Sequence, residues 1–310
     1  MKHILLYAVL ITVTLSNTLQ AQNINYSTQE VAINKLIDGT LLRPNDTKKP
    51  VLAIIIAGSG PTDRNGNQNF VKNNSLKKLA ESLSNANIAT FRYDKRIVKQ
   101  IQQRYVDPNI MFDDFVTDAK SVISYFKAQN EFSKIYVLGH SQGSLVGMLA
   151  AKENVDGFVS LAGAGQSIDQ VIMEQITKMD PKLVEGTKAA LAELKSGKTT
   201  TTYPIALGAI FNPSTQPFMI NWMSYNPQDI IKTLNIPILI VNGTKDLQVN
   251  VTDATLLHEA SKTAQLKIIE HMNHIFVTIE GDDLDNSKSY NESARKISKE
   301  LITSLINFIK

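Results

Sequence analysis

Cysteine is missing altogether from the 310 residues. Disulfides, thiolate metal sites and a cysteine nucleophile are therefore excluded. Blocks of like charge are missing too. The formal net charge of +3 is too small to imply a nucleic-acid or membrane-surface partner. The pair Lys48-Lys49 sits in a polar turn before Pro50 and reads as a solvated face. There is no phosphate-binding glycine motif. Asp282, Asp283 and Asp285 lie close together, but the stretch lacks the glycine of a calcium loop and reads as a solvated acidic turn. Internal repeats are absent, and the short threonine run near Thr199 is the extent of low complexity.

What is present is ordinary for a globular protein: 43% hydrophobic and 20% charged residues. The length suits one large α/β domain, with or without an inserted lid, or two smaller domains. At the N-terminus, Lys2 and His3 precede an apolar run from Ile4 to Leu15, followed by a polar stretch to Gln22. This order predicts an export signal over residues 1–21, cleaved after Ala21, because the run is short for a permanent membrane anchor. An exported, periplasmic or secreted protein with no stable membrane insertion is the expectation.

Beyond the leader, Glu30 to Ile33 and Thr40 to Leu42 read as a hairpin turning around Asp38-Gly39. Val51 to Ala57 is a continuous apolar run, the pattern of a strand buried on both faces. Strands are also predicted at Ile88 to Tyr93, Lys134 to Leu138, Phe158 to Ala162, Ile236 to Val241 and Leu266 to Ile269. Helices are predicted at Ser75 to Ala86, Phe112 to Gln129, Ser144 to Ala151, Thr252 to Ser261 and Ser293 to Ile309. This alternation implies a doubly wound, mostly parallel sheet with right-handed crossovers. Between Gly163 and Asn226 there is no strong strand, and Ser167 to Lys178 and Pro181 to Lys195 are helix-like. So long a connection reads as an inserted helical lid over residues 164–226, the alternative being two crossover helices and a long loop.

Gly139-His140-Ser141-Gln142-Gly143 matches G-x-S-x-G, with a strand running in and a helix leaving. That context places the Ser141 hydroxyl on a sharp turn above the carboxyl edge of the sheet, with glycines where backbone must approach closely. A serine hydroxyl needs a base to take its proton, and the base needs an acid to orient it. His274 is favoured as base over His271, because it lies in the loop beyond the last strand. His258 reads as a surface residue in mid-helix, and His140 as a packing residue turned away from the serine. Asp246, just after the preceding strand, is favoured as acid over Asp253, which falls where helix starts commonly carry acids. The backbone N–H groups of Gln142 and Ser59 are the expected oxyanion donors. Asp63 and Arg64 are expected to pair with each other and hold their loop. Phe218, Trp222 and Met223 would either line an acyl pocket or form the lid's own core.

Together these residues resemble the bacterial esterase-type α/β-hydrolases grouped with the serine aminopeptidase-like hydrolases. The likeness rests on the loop Gly58-Ser59-Gly60-Pro61-Thr62-Asp63-Arg64-Asn65-Gly66, the elbow from Gly139 to Gly143, Gly243-Thr244-Lys245-Asp246-Leu247-Gln248-Val249, and Met272-Asn273-His274. It covers nearly all of the chain after the leader. It implies an α/β-hydrolase core over residues 22–163 and 227–310, carboxylester hydrolysis of small or medium acyl substrates, and no metal or cofactor. Ile97, after Phe91-Arg92-Tyr93-Asp94-Lys95-Arg96, stands where relatives carry glycine and puts substrate shape in question. A peptidase or amidase with the same three residues, and a non-catalytic binding protein on the same scaffold, are the alternatives.

Overall fold

The computed structural model describes residues 25–152 and 155–310, so the leader expected over residues 1–21 lies outside the described residues. Eight strands form one sheet in the order β1-β2-β4-β3-β5-β6-β7-β8. They are β1 (Tyr26–Ala32), β2 (Asp38–Pro44), β3 (Leu52–Ile56), β4 (Ala89–Tyr93), β5 (Ile135–His140), β6 (Gly157–Leu161), β7 (Ile238–Gly243) and β8 (Ala264–Ile269). β1 pairs antiparallel with β2, and β2 antiparallel with β4; every pairing from β4 through β8 is parallel.

Period-two alternation assigns the two faces. Leu52, Ile54 and Ile56 of β3 enter one core with Phe115, Val122 and Phe126 of the helix Phe112–Gln129, while Ala53 and Ile55 enter the other with Leu76, Leu79 and Leu83. The helices are α1 (Ser75–Asn85), α2 (Arg96–Gln102), α3 (Phe112–Gln129), α4 (Gln142–Ala150), α5 (Ile168–Met179), α6 (Val184–Lys195), α7 (Gly208–Phe211), α8 (Gln216–Met223), α9 (Pro227–Ile231), α10 (Val251–Ala260), α11 (Asp283–Ser289) and α12 (Lys299–Ile309). α1 and α12 cover one face of the sheet; α3, α4 and α10 cover the other.

Helices α5 to α8, between β6 and β7, close on a core of their own that includes Ile172, Leu191, Leu194, Phe211 and Met219. The segment is also tied to α3. Trp222 stacks on Phe112 at 5.5 Å between ring centroids, and Tyr225 donates its hydroxyl to Asp113 at 2.6 Å. Among the described residues no helix is long and apolar enough to cross a membrane.

Several local expectations are corrected. Asp38-Gly39 is not the hairpin turn; the chain reverses over residues 33–37, where Asn34 Oδ1 accepts the N–H groups of Leu36 and Ile37 at 2.8 and 3.0 Å. Gly39 opens β2 instead, and glycine stands there because a Cβ would lie 2.2 Å from the Phe91 ring. Asp63 and Arg64 do not pair. Arg64 bridges to Asp94 at 2.7 Å and to Glu30, while Asp63 accepts the N–H groups of Asn65 and Asn67 at 2.8 and 2.9 Å. Two carboxylates, one on β1 and one just past the end of β4, outcompete the adjacent residue, which is committed to its own turn.

The last helix begins at Lys299 rather than Ser293, because Ser298 caps it while its own N–H goes to the Phe276 carbonyl at 2.7 Å. Asp282, Asp283 and Asp285 are not a plain acidic turn: Asp282 caps α11 and Asp285 pairs with Arg295 at 2.6 Å. His258 sits in the last turn of α10, half-buried, with Nδ1 buried and unpaired. α2 was not expected; Arg96 at its start holds it to α3 by two hydrogen bonds of 2.8 Å to the Asp118 carboxylate.

Candidate active site

Ser141 stands between the end of β5 and the start of α4 with φ 54° and ψ −122°. A non-glycine residue at such angles is strained by about 1–3 kcal/mol, and the surroundings must impose it. The flanking glycines show how. A Cβ on Gly139 would lie 2.2 Å from the Gly143 carbonyl oxygen, and one on Gly143 would lie 2.5 Å from the Ile56 carbonyl oxygen. Gly58 is close for a related reason, since a Cβ there would come within 3.1 Å of Ser141 Cβ. The loop after β3 is thus pressed against the serine.

Two loops at the same edge of the sheet bring in Asp246 and His274. Asp246 Oδ2 lies 2.8 Å from His274 Nδ1, while its Oδ1 accepts the N–H groups of Gln248 and Val249 at 2.8 and 2.9 Å. Both side chains are shielded, at 1% and 4% exposure. An ionised carboxylate only accepts, so a neutral His274 carries its proton on Nδ1 and leaves Nε2 bare, ready to take a proton. The loop holding His274 is pinned by Asn273, whose Nδ2 donates to Asn286 Oδ1 at 2.9 Å and Ser289 Oγ at 2.8 Å. Gly243 allows this packing, because a Cβ there would lie 2.0 Å from the Met272 carbonyl oxygen.

The competing residues are placed elsewhere. Asp253 accepts the Gly165 N–H at 2.9 Å, and His271 is exposed. His140 does more than pack: its buried Nε2 donates to the His274 carbonyl at 2.9 Å, and the two rings lie 4.7 Å apart. Burial, and then the neighbouring His274, push the His140 pKa down to about 3, so it stays neutral near pH 7. Ser141 and His274 border one cavity, and no hydrogen bond joins them among the described residues. Such contacts often tighten only when substrate arrives.

The N–H groups of Ser59 and Gln142 donate to no protein acceptor among the described residues, and both residues border two cavities. A cavity of about 470 Å³ is lined by Ser141 and by residues of α5 and α8, and another of about 520 Å³ shares Ser59 and Gln142 with it. Phe218 and Trp222 border both and also pack against the core of the helical segment, whereas Met223 is buried in that core and borders neither. Ile97 borders the second cavity.

Sequence reasoning missed Lys95. Its buried ammonium donates to the Gly58 carbonyl at 3.0 Å and to Gln142 Oε1 at 2.8 Å, and lies 4.2 Å from the Phe115 ring centroid. It ties the loop carrying Ser59 to the residue after Ser141, a role that only their tertiary approach reveals. Burial lowers its pKa to about 7, partly offset by the Asp118 charge. With the folded pKa below the unfolded value, the unfolded chain binds the extra proton between about pH 7 and 10. This group therefore makes stability rise with pH across that window. Lys95→Met should flatten the rise in Tm between pH 7 and 10, read by thermal melts; an unchanged slope would show that Lys95 is not so depressed.

Among the described residues no group of three or more His, Asp or Glu is placed to hold a metal ion.

A Ser141 elbow on the fifth strand of a mostly parallel eight-stranded sheet, with Asp246 and His274 on the loops after β7 and β8, decides the fold. The chain has the α/β-hydrolase fold. The family model described as "Serine aminopeptidase, S33" matches residues 72–205. Esterase EstD of Thermotoga maritima is 27% identical over 267 residues, which is 83% of this chain. This chain spans 62% of the length of that relative. Est1E from Butyrivibrio proteoclasticus, which has also been solved with ferulic acid bound, superposes with a TM-score of 0.56 at 17% identity, covering 91% of this chain and 98% of that one. The Pyrococcus furiosus esterase Pf2001 gives a TM-score of 0.53 at 12% identity, covering 88% and 91%.

Proposed function

We propose that the protein is a serine esterase acting on carboxylic esters of small or medium acyl groups. The observation that carries this reading is the Asp246–His274 pair at 2.8 Å, with His274 bordering the same cavity as a serine held at positive φ. His274 Nε2 takes the Ser141 proton as Oγ attacks the acyl carbonyl. The Ser59 and Gln142 N–H groups receive the oxyanion, each such donor stabilising the transition state by about 2.7–4 kcal/mol. His274 returns the proton to the departing alkoxide, and water repeats the cycle on the acyl-enzyme. Asp246 keeps the imidazole in the useful tautomer and stabilises the imidazolium. Esterase relatives support the same reading. In this reading helices α5 to α8 form a lid, and the leader sends the protein out of the cytoplasm.

The matched family description favours a second reading, cleavage of aminoacyl amides. A free amino terminus needs an anionic partner, and no Asp or Glu borders the 470 Å³ cavity beside Ser141. Hydrolysis of p-nitrophenyl esters from acetate to decanoate, compared with aminoacyl anilides, separates the two. Ester turnover well above anilide turnover is expected, with a fluorophosphonate labelling Ser141. A folded protein that hydrolyses neither and refuses the label would be a binding protein on a hydrolase scaffold.

A further inference from the structure

Three cavities converge on Ser59, and they differ in chemistry. The 470 Å³ cavity beside Ser141 is walled by Ile168, Ile172, Ile210, Phe218, Met219 and Trp222. A smaller one, of about 180 Å³, borders Ser141 and is also bordered by His274. Its remaining wall is largely polar, with Thr62, Gln68, Asn73, Ser75, Gln248 and Tyr290.

Reaction geometry assigns an occupant to each. The alcohol oxygen must receive its proton from His274, so the departing half of an ester lies on the His274 side. The 470 and 520 Å³ cavities are not bordered by His274, whereas the 180 Å³ cavity is. The acyl half then extends the other way, over Ser141 into the apolar cavity, where burial of its carbon chain supplies binding energy.

Polar groups on the alcohol side have hydrogen-bonding capacity left over. Gln68 spends its Nε2 on the Ser59 carbonyl at 2.9 Å and Thr62 Oγ1 at 2.7 Å, and its Oε1 accepts no hydrogen bond among the described residues. The Tyr290 hydroxyl is buried near Gln248 without a partner of good geometry. An apolar alcohol seated here would strip water from the exposed Gln68 amide and return nothing, whereas hydroxyl groups would replace the water.

Resting on the esterase reading, we propose that the site divides its substrate into an apolar acyl half and a hydroxylated alcohol half, the latter bound by Gln68 in the cavity beside His274 and by Gln248, which borders both that cavity and the 470 Å³ one. The substrate class is an ester of an aliphatic or aryl acid with a small polyhydroxy alcohol.

The test compares 1-monohexanoylglycerol with propyl hexanoate, each rate divided by that ester's hydroxide-catalysed rate to remove leaving-group reactivity. The glyceryl ester is expected to be favoured about tenfold or more in kcat/KM. Gln248→Leu and Gln68→Leu should each shrink that ratio several-fold. Gln248 is exposed, so its variant is expected to fold. Equal efficiency on the two esters, or a preference that neither variant alters, would overturn the alcohol subsite while leaving the esterase reading standing. No turnover of either ester, with no fluorophosphonate label at Ser141, would overturn the esterase reading and this assignment with it.

Discussion

Ser141→Ala is expected to lower kcat on a p-nitrophenyl ester by about 10⁴–10⁶-fold while leaving the fold intact. The size follows from the proposed covalent route. Without Oγ there is no acyl-enzyme, and the surviving rate comes from the Ser59 and Gln142 N–H groups and binding alone. Folding should survive because the Ser141 hydroxyl bonds to no protein group among the described residues, while the backbone N–H still reaches the Leu161 carbonyl at 2.9 Å. Asp246→Asn is the companion variant. An amide can turn its NH₂ towards His274 Nδ1 and favour the tautomer with the proton on Nε2, which cannot act as base; a loss near 10⁴-fold is expected. Pre-steady-state kinetics would check both, since a burst of p-nitrophenol should vanish in Ser141→Ala. Retention of more than about a hundredth of wild-type kcat in Ser141→Ala would remove the serine from the chemistry.

Gly139→Ala should be the most damaging of the small substitutions for stability. The new methyl carbon would lie 2.2 Å from the Gly143 carbonyl oxygen and 2.6 Å from Ser144 Cα. Both are backbone atoms of α4. Neither side can retreat cheaply, because β5 is paired on both edges, to β3 and β6. Forced overpacking of this kind costs about 1–3 kcal/mol, and more where backbone has to move. At about 2–4 °C per kcal/mol for large domains, Tm should fall by roughly 5–10 °C. Gly208→Ala is the internal control, since a Cβ there meets nothing within 4 Å and its φ is not positive. It should melt within about 2 °C of wild type. Equal melting temperatures for the two variants would mean that the elbow is looser than its contacts require.

The two substitutions act on different parts of one device. The glycines let backbone segments approach so closely that Ser141 has no relaxed conformation available, and this places its hydroxyl at the cavity. Lys95 secures the same place from behind through the Gly58 carbonyl and the Gln142 side chain. His140 steadies the opposite wall through the His274 carbonyl. Held this way, the polar groups need little reorganisation as charge develops, the condition under which fixed dipoles act most strongly on a transition state.

Much of this was open to a reader of the sequence, and the reason is locality. Buried parallel strands are short apolar runs, so Val51 to Ala57 could be read as β3 and Ile236 to Val241 as most of β7. Ser141, Asp246 and His274 each follow such a strand, and a parallel sheet gathers its strands' carboxyl ends at one edge. Asp246 and His274 lie 2.8 Å apart, whereas Asp253 accepts the Gly165 N–H and His271 is exposed. What escaped was decided by partners far away in the chain. Gly39 is glycine because of Phe91, and Arg64 turns to Asp94 and Glu30 rather than to Asp63. Met223 faces the interior of its own helical cluster while Phe218 and Trp222, on the same helix, reach the cavities.

By itself, then, the sequence determined the order of strands and helices, the elbow at Ser141 and the residues that meet there, because each is written in a short stretch with its own periodicity or turn chemistry. Only the tertiary structure decided that a buried Lys95 joins the two loops beside Ser141, and that a largely apolar and a largely polar cavity both border that serine. Burial and cavity walls arise from residues separated by scores of positions, and no local pattern records which of them will face each other.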